Sequence, residues 1–478
     1  MTIRRLKQQT NMSSAATVSN SSGNNSDQTT GKYPIDLFRG WPNPALLPVD
    51  SLARSAATVF ASSSIYEPGL QYGPDEGYGP LRAHIASWLT SFYRADTEGS
   101  NLPTETTAGA ITAERICITG GASQNLACIL QVFTDAAYTR NIWMVAPTYY
   151  LACRIFNDAG FMERMRGVPE DEEGIDLEFL ERWLREAEER AAKEGNIRPV
   201  YTLPRPWSNI YKHVIYLTPT FANPSMKVVS LRRREGLVRL ARRFNALIIA
   251  DDVYDFLQWP SDPDAPNIKE AASIPRIVDV DGYLDGGPID EFGNAVSNGS
   301  FSKLVGPGMR VGWAEGTKAF AYGLSQAGSS RSGGAPSQLS STFVDQLLPS
   351  GILQQHIKQE LVPAYRARYN LLISAIKEHL LPLGFKLPVG NQPISGGFFI
   401  WLDLPPPLTG DLLAQRALEV EMLRIGSGTM FQVQGDWSEH HRMFEHSIRL
   451  CFAYERFELL YEGVERLASV ARSMLGSE

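Results

Sequence analysis

The sequence predicts an α/β protein whose large domain is a mostly parallel, seven-stranded sheet covered by helices on both faces, joined to a smaller α+β domain. From about residue 115, short runs of Val, Ile and Leu alternate with longer stretches of helical periodicity. Some of these runs, such as 142–147 and 246–250, are apolar throughout, which is typical of strands buried on both faces of a parallel sheet. After about residue 350 the alternation ends, and this change predicts the second domain.

The predicted strands and helices follow one another in order. Six of the seven strands are located, at 115–119, 142–147, 213–219, 246–252, 295–300 and 310–316, and the second domain is expected to have strands at 396–405 and 447–455. Helices are expected at 50–62, 81–93, 123–136, 149–160, 230–245, 352–379 and 410–420, with a last helix closing the chain. The segment 261–294 is rich in Asp, Pro and Gly, which predicts an inserted surface loop. The bulky loop 200–212 has no predicted role.

Length and composition limit the classes of function. The chain has 478 residues, enough for two or three domains at roughly 100–200 residues each. The net charge of −7 argues against a nucleic-acid partner and gives no reason to expect an anionic membrane surface. No apolar run approaches the ~20 residues that span a bilayer. The four cysteines are scattered and form no CxxC motif, so we expect neither a disulfide framework nor a metal site.

The predicted domain organisation has four parts. Residues 1–32 are rich in Ser, Asn and Thr and predict a disordered tail. Residues 33–62 are expected to form an N-terminal arm that packs with the small domain, 63–348 the large domain and 349–478 the small domain. The first ten residues are basic, so a mitochondrial location stays open beside the cytoplasmic one that we expect.

Chemistry-bearing residues follow several predicted strands, at the edge where such folds bind ligands. "TGGASQN" (119–125) is a glycine turn that opens a helix, where backbone N–H groups can meet a phosphate. It is not G-x-G-x-x-G, which excludes a dinucleotide site. Tyr149 in "PTYY" could stack on a planar ring or pack beneath a loop. Asn223 in "PTFANPS" could bind a ligand or only form a turn.

Two further motifs are more specific. "ADDVYDF" (250–256) ends an apolar strand with Asp251 and Asp252, and a carboxylate there needs a partner. The partner could be a helix N-terminus or a cationic ring nitrogen. "SFSKLVGPGMR" (300–310) places two serines, a lysine and an arginine together. They could be surface groups, or they could hold a phosphate and join an aldehyde as a Schiff base.

In this order and spacing the motifs resemble those of fold-type I pyridoxal-phosphate enzymes. "LQYGP…GYGPLR", "NP", "ADDVY", "SFSK…GPGMRVGW", "GGFFIW" and "IRLCF" are each modest, but their joint order is specific. The chain is most similar to the class I/II aminotransferases, in the branch of the 2-aminoadipate, kynurenine and fungal aromatic aminotransferases. The resemblance implies pyridoxal 5'-phosphate as cofactor, an amino acid with an aromatic or long side chain and a 2-oxo acid as substrates, and a homodimer.

The resemblance also implies roles for single residues. The implied catalytic residues are Lys303, which binds the cofactor and moves a proton, and Asp251 and Tyr254, which contact the ring. The other implied cofactor contacts are Ala122, Ser123, Tyr149, Asn223, Ser300, Ser302, Arg310 and, from the neighbouring subunit, Tyr72. The implied substrate contacts are Arg449, which binds the α-carboxylate, Gly40, whose loop closes over it, and Asn223.

Three departures from the family pattern bear on specificity and cofactor binding. "NPSM" replaces the common "NPTG", Ser427 stands where relatives often have proline, and Ala122 replaces a frequent hydroxyl residue. The same cofactor contacts would serve a β- or γ-lyase or an aminocyclopropane-carboxylate-type synthase, so those reactions stay as the alternative. A transcription regulator is not expected, because the N-terminal segment lacks the apolar periodicity of a DNA-binding domain. A catalytically inactive scaffold is not expected either, since nearly every implied cofactor contact is present.

Overall fold

The computed structural model describes residues 32–93, 110–262, 271–272, 274–388, 393–436, 438 and 443–476. Except for Lys32, the predicted disordered tail lies outside these residues. Pro34–Glu478 forms one compact unit. The predicted domain boundaries within that unit stay predictions.

The strands of the described chain are short and mostly buried. In chain order they are β1 (Ile35–Asp36), β2 (Ile116–Thr119), β3 (Asn141–Ala146), β4 (Met165–Asp171), β5 (Gly174–Ile175), β6 (His213–Leu217), β7 (Ala246–Asp251), β8 (Gln258–Pro260), β9 (Ala295–Ser300), β10 (Gly312–Glu315), β11 (Ile394–Gly396), β12 (Phe399–Asp403), β13 (Leu423–Arg424), β14 (Gly426–Ser427) and β15 (Ser447–Cys451).

The helices fill the connections between these strands. They are α1 (Val49–Phe60), α2 (Ser63–Leu70), α3 (Gly79–Tyr93), α4 (Ala122–Phe133), α5 (Tyr150–Asp158), α6 (Leu177–Lys193), α7 (Leu231–Phe244), α8 (Ile277–Tyr283), α9 (Lys318–Ser325), α10 (Gly328–Arg331), α11 (Gln338–Asp345), α12 (Ile352–His356), α13 (Val362–His379), α14 (Gly410–Glu421) and α15 (Phe457–Leu475). A π-helical turn, Ile357–Leu361, joins α12 to α13.

The main sheet has the strand order β2-β10-β9-β7-β6-β3-β4-β5. Five neighbouring strands, from β9 to β4 in that order, are parallel, and β10 runs antiparallel between β2 and β9. The mostly parallel sheet is therefore confirmed. The eighth strand, β5, has two residues and pairs with the end of β4, so it is too short to give a sequence pattern.

Side chains of the central strands alternate between two apolar clusters, one on each face. Tyr216 and Ile249 pack on one face with α4, α5 and α9, whereas Ile215 and Ile248 pack on the other face with α6, α7 and α8. Every residue of β6 and β7 is buried. Two covered faces explain why these strands read as unbroken apolar runs.

The N-terminal segment and the C-terminal part share backbone hydrogen bonds. β1 pairs with β13 in parallel, and the main-chain carbonyl of Leu37 accepts from the Cys451 N–H at 2.7 Å. The strands β12, β15 and β14 form a separate three-stranded antiparallel sheet. This pairing places residues 38–41 beside β15.

The prediction of a surface loop over 261–294 is wrong for its second half. Helix α8 lies within that segment, and the side chains of Ile277 and Val280 are fully buried against the sheet. Residues 263–270 and 273 lie outside the described residues. The aspartates that made the segment look exposed are buried, and each forms an ion pair. Asp279 pairs with Arg276, and Asp281 pairs with Arg242, each at 2.9 Å.

Arg276 provides a test of buried charge in the fold. Its guanidinium is 1% exposed, pairs with Glu315 at 2.6 Å and stacks 4.0 Å from the ring centre of Tyr93. Arg276→Ala leaves Glu315 buried with Arg115 as its remaining ion-pair partner, so we expect the free energy of unfolding to fall by about 3–5 kcal/mol. Urea denaturation at fixed protein concentration measures this loss.

The matched control is Arg239→Ala, which removes a half-exposed pair with Asp285 and should cost about 0–1 kcal/mol. Equal losses in the two variants would contradict a stabilising role for the buried pair.

Candidate active site

A cavity of about 430 Å³ lies at the carboxyl ends of the parallel strands. The loops after β2, β3, β6, β7 and β9 line it, together with residues 38–41, Phe399 and Arg449. The structure brings twelve of the thirteen sequence-predicted site residues to this cavity: Gly40, Ala122, Ser123, Tyr149, Asn223, Asp251, Tyr254, Ser300, Ser302, Lys303, Arg310 and Arg449.

Asp251 and Asp252 point to opposite faces of the sheet, as neighbours on a strand must. Asp251 lines the cavity and accepts a hydrogen bond from the Tyr216 hydroxyl at 2.8 Å. Burial raises the pKa of Asp251 to about 6, while the Tyr216 hydrogen bond and the Lys303 charge oppose that rise. Asp252 lies on the far side and accepts from the Ser297 hydroxyl at 2.5 Å. Its own burial and the nearby Asp255 raise its pKa further.

Lys303 ends a short turn, Phe301–Lys303, that directly follows β9. Its Nζ donates to the carbonyl oxygen of Gly40 at 2.6 Å and lies 5.3 Å from the ring centre of Phe398. Burial lowers the pKa of Lys303 to about 8. Near neutral pH a larger share of this amine than of an ordinary lysine is therefore uncharged and nucleophilic.

The turn before α4 and the loop around Arg310 form an anion cradle. Gly121 has φ of +94°, and a Cβ there would lie 3.0 Å from Nη2 of Arg310, so the backbone approaches the guanidinium closely. Helix α4 begins at Ala122, which directs its N-terminal N–H groups and positive dipole end toward the cavity. The Ser300 hydroxyl donates to the Ser302 hydroxyl at 2.9 Å on the same side. This set of donors suits a phosphate group.

Arg449 is a buried cation on the opposite wall. Its guanidinium donates to Oδ1 of Asn223 at 2.8 Å and to the carbonyl of Phe38 at 2.6 Å, and its centre lies 4.0 Å from that of the Phe399 ring. It is 3% exposed, and its Nε has no hydrogen-bond partner within the described chain. None of the described carboxylates pairs with it. A buried guanidinium without a carboxylate partner can bind an anionic ligand.

Two tyrosines and one glycine shape the space between these groups. Burial raises the pKa of Tyr149 to about 12 and also raises that of Tyr254, so both keep their phenolic protons at neutral pH. Gly40 approaches Phe399 so closely that a Cβ would lie 2.6 Å from the ring. Only glycine fits there without moving the aromatic side chain.

Tyr216 and Asn298 are among the polar residues of the cavity that sequence reasoning missed. Tyr216 lies within an apolar strand and reaches Asp251 because β6 and β7 are neighbours. Asn298 accepts from Asn125 at 2.8 Å and donates to the Ala122 carbonyl at 3.1 Å. Asn298 lies two residues before the "SFSK" motif, but only the strand pairing shows what it contacts.

Tyr72 is the one predicted site residue that does not line the cavity. Its side chain is 88% exposed and lies beside Gly333. Its contribution to a neighbouring subunit stays a prediction. The departure at Ser427 is accommodated within the fold: its hydroxyl donates to Asp411 at 2.5 Å, next to the same bond from Thr429.

The donor set fits pyridoxal 5'-phosphate. The cavity holds a nucleophilic amine, a buried carboxylate that can face a cationic ring nitrogen, and a cradle for a phosphate, all on one sheet edge. Within the described ranges no group of three or more His, Cys, Asp or Glu residues could hold a metal ion. None of the helices in the described part of the chain has the length and apolarity to cross a membrane.

Comparison with known proteins gives the same result. The family model for aminotransferase class I and II matches residues 51–467. An uncharacterized protein of Saccharomyces cerevisiae is 32% identical and covers 92% of this chain and 97% of its own length. Aromatic-amino-acid aminotransferase 1 of Thermococcus litoralis is 27% identical, with coverages of 92% and 88%.

Among solved structures, the α-aminoadipate aminotransferase LysN of Thermus thermophilus, complexed with N-(5'-phosphopyridoxyl)-L-leucine, is 26% identical. Its TM-score is 0.70, and the match covers 93% of each chain. The chain belongs to the family of class I and II aminotransferases, enzymes that depend on pyridoxal phosphate.

Proposed function

We propose that this aminotransferase moves an amino group between an amino acid with an aromatic or long side chain and a 2-oxo acid. One observation carries the proposal: the buried guanidinium of Arg449 lacks a carboxylate partner in the described chain and shares a cavity with Lys303 and Asp251. Amino acids and 2-oxo acids both carry an α-carboxylate that would complete it. The lyase alternative is not favoured, because the named relatives above are aminotransferases.

The cofactor, when bound, draws electrons away from the substrate Cα and so makes its proton acidic. Asp251 would face the ring nitrogen as a carboxylate and keep it protonated. The other holding residues would be Asn223 and Tyr254 at the phenolic oxygen, Tyr149 on the ring face, and Ser123, Ser300, Ser302, Arg310 and the Ala122 N–H at the phosphate.

Lys303 would serve first as the residue that fixes the cofactor and then as the base that carries the Cα proton. A base works best when its pKa lies near the working pH, and burial brings the pKa of Lys303 to about 8. Arg449 and Asn223 would hold the substrate α-carboxylate, and the Gly40 loop would cover it and exclude water.

The preference for an aromatic or long side chain is supported by apolar and aromatic residues at the cavity wall. Trp41, Tyr150, Leu151 and Ile155 line it, and Trp41 is 54% exposed at its mouth. Such surfaces favour large apolar groups. The printed names of two relatives, an aromatic and an α-aminoadipate aminotransferase, agree with this preference.

A screen of amino donors with 2-oxoglutarate or pyruvate as acceptor tests the substrate class directly. We expect Phe, Tyr, Trp and 2-aminoadipate to be converted faster than Ala or Gly, because only large side chains would contact the cavity wall at Trp41 and Ile155. Amino-acid analysis of the products measures transfer. Lys303→Ala serves as the inactive control, and preferential turnover of Gly or Ala would contradict the proposal.

The neighbouring acids Asp251 and Asp252 should differ in function. Asp251→Asn removes the ring-facing charge, so we expect a loss of kcat of at least about 100-fold, the lower range for acid–base contributions. Asp252→Asn should keep most of the activity, since that carboxyl has a strongly raised pKa and faces Ser297 outside the cavity. Steady-state kinetics at pH 8 compare the two, and the reverse order of damage would contradict the assignment.

Arg449→Ala should weaken the binding of amino and oxo acids alike. Truncating one partner of a buried charge pair costs about 2–5 kcal/mol, which corresponds to a rise in KM of roughly 30-fold or more. The cofactor dissociation constant should change little. The matched control is Arg368→Ala, which removes a buried arginine that caps the carbonyls of Phe452 and Glu455 instead. Unchanged KM values in Arg449→Ala would place the carboxylate elsewhere.

We further propose a homodimer in which Tyr72 reaches the partner's phosphate site, which agrees with its 88% exposure outside its own cavity. Mixed dimers of Lys303→Ala and Tyr72→Ala subunits should hold one site with both residues intact and one with neither. Co-refolded mixtures should therefore exceed the summed activity of the separate variants, provided that Tyr72→Ala alone is impaired. Strict additivity in verified mixed dimers, or a fully active monomer in sedimentation, would contradict shared sites.

A further inference from the structure

Each carboxylate oxygen of Asp251 faces a separate donor that belongs to another strand. Oδ2 accepts from the Tyr216 hydroxyl on β6 at 2.8 Å, and Oδ1 lies 3.5 Å from Nδ2 of Asn298 on β9. Both donors are 1% exposed. The two neighbours of β7 in the sheet thus hold its last side chain from both sides.

The Asn298 side chain is itself fixed. Its Oδ1 accepts from Nδ2 of Asn125 in α4, and its Nδ2 donates to the carbonyl of Ala122, the first residue of that helix. Asn298 therefore connects the carboxylate of Asp251 to the helix that opens the phosphate cradle. A shift of either group would break one of these bonds.

The Tyr216 hydroxyl can act on Asp251 only as a hydrogen-bond donor. Burial and the Asp251 charge raise the pKa of Tyr216 well above its usual range, so it stays a phenol and donates. Burial favours the protonated, uncharged form of Asp251, and a donor opposes this by stabilising the carboxylate. Packing alone does not require the hydroxyl, because phenylalanine would place the same ring in this position.

We propose that Tyr216 and Asn298 are positioning residues, which hold the Asp251 carboxylate ionised and directed into the cavity. The proposal rests on the proposed pairing of Asp251 with the cofactor ring nitrogen. Neither residue exchanges a proton with the substrate. Tyr216 acts on the charge of Asp251, and Asn298 fixes its direction relative to the phosphate cradle.

The test compares Tyr216→Phe with Tyr211→Phe in the cofactor-loaded enzyme. Tyr211 is also a fully buried tyrosine, and its hydroxyl donates to the Gly293 carbonyl at 2.5 Å, away from the cavity. Each variant loses one buried hydrogen bond, so their melting temperatures should fall alike. Only Tyr216→Phe should change the pH profile, since losing the donor raises the pKa of Asp251 and moves the acid limb of kcat to higher pH.

For Tyr216→Phe we expect that limb to move by about one pH unit, kcat to fall about tenfold and the cofactor dissociation constant to rise by a similar factor, as one buried hydrogen bond to a charge is lost. Asn298→Ala should raise the cofactor dissociation constant as well. A pH profile and cofactor affinity identical to those of Tyr211→Phe would overturn the proposal.

A double variant separates this inference from the role of Asp251. If Tyr216 acts through Asp251, Tyr216→Phe combined with Asp251→Asn should bind the cofactor no more weakly than Asp251→Asn alone. Additive losses would overturn the positioning role while leaving Asp251 as the ring partner. Normal cofactor affinity and activity in Asp251→Asn would instead contradict the proposed role of Asp251, and the roles of Tyr216 and Asn298 that depend on it.

Discussion

The parallel pairing of β7 with β6 and β9 is the interaction on which the site depends. In this register Asp251 lies opposite Asn298, and Ala250 lies opposite Leu217, so the polar residues that follow three strands meet at one edge. A shift of one residue would turn Asp251 toward α7 and α8 and bring Asp252 into the cavity. Complete burial of both faces makes such a shift costly, because every apolar side chain of β7 would change sides. The packing of an apolar strand thus fixes the position of a charged group.

Burial without full pairing is the common condition of the charged groups in the cavity. Asp251, Lys303 and Arg449 all have pKa values shifted toward their neutral forms by burial, and none of them forms an ion pair with another described residue. On the other face of the sheet, Arg276 and Asp279 are equally buried but are joined by direct ion pairs and hydrogen bonds. These three charged residues of the cavity and the two on the other face of the sheet therefore differ in whether they form ion pairs. Arg276 and Asp279 are neutralised by partners within the chain, whereas the three charged groups of the cavity have no ion-pair partner among the described residues.

Much of the fold followed from local patterns, because two-faced burial leaves unbroken apolar runs that need no tertiary information. The central strands β6, β7 and β9 lie within a few residues of their predicted limits. Helix α8 was missed because its buried aspartates look like surface residues until Arg276 and Arg242 are placed beside them. Strand β4 was missed because Arg, Pro and acidic residues interrupt its apolar pattern, and strand β5 because two residues carry no periodicity. Alternation along β7 puts Asp251 and Asp252 on opposite faces, and the family resemblance selected Asp251. The contact of Tyr216 with Asp251 depends on which strands are neighbours, which a single sequence does not state.

The anchoring of the N-terminal segment has a consequence for how the protein is made. The Phe38 carbonyl accepts from Arg449, which is 411 positions later, and the Ile35 N–H donates to the carbonyl of Met422. The wall that carries Arg449 therefore contains residues from both ends of the chain. During translation the N-terminal residues of this wall are made first, and nearly all the remaining residues are synthesised before the strand that pairs with them. The residues that form the sheet edge with Asp251 and Lys303 are made long before the strand that carries Arg449, and contacts of such long range are typical of slowly folding proteins.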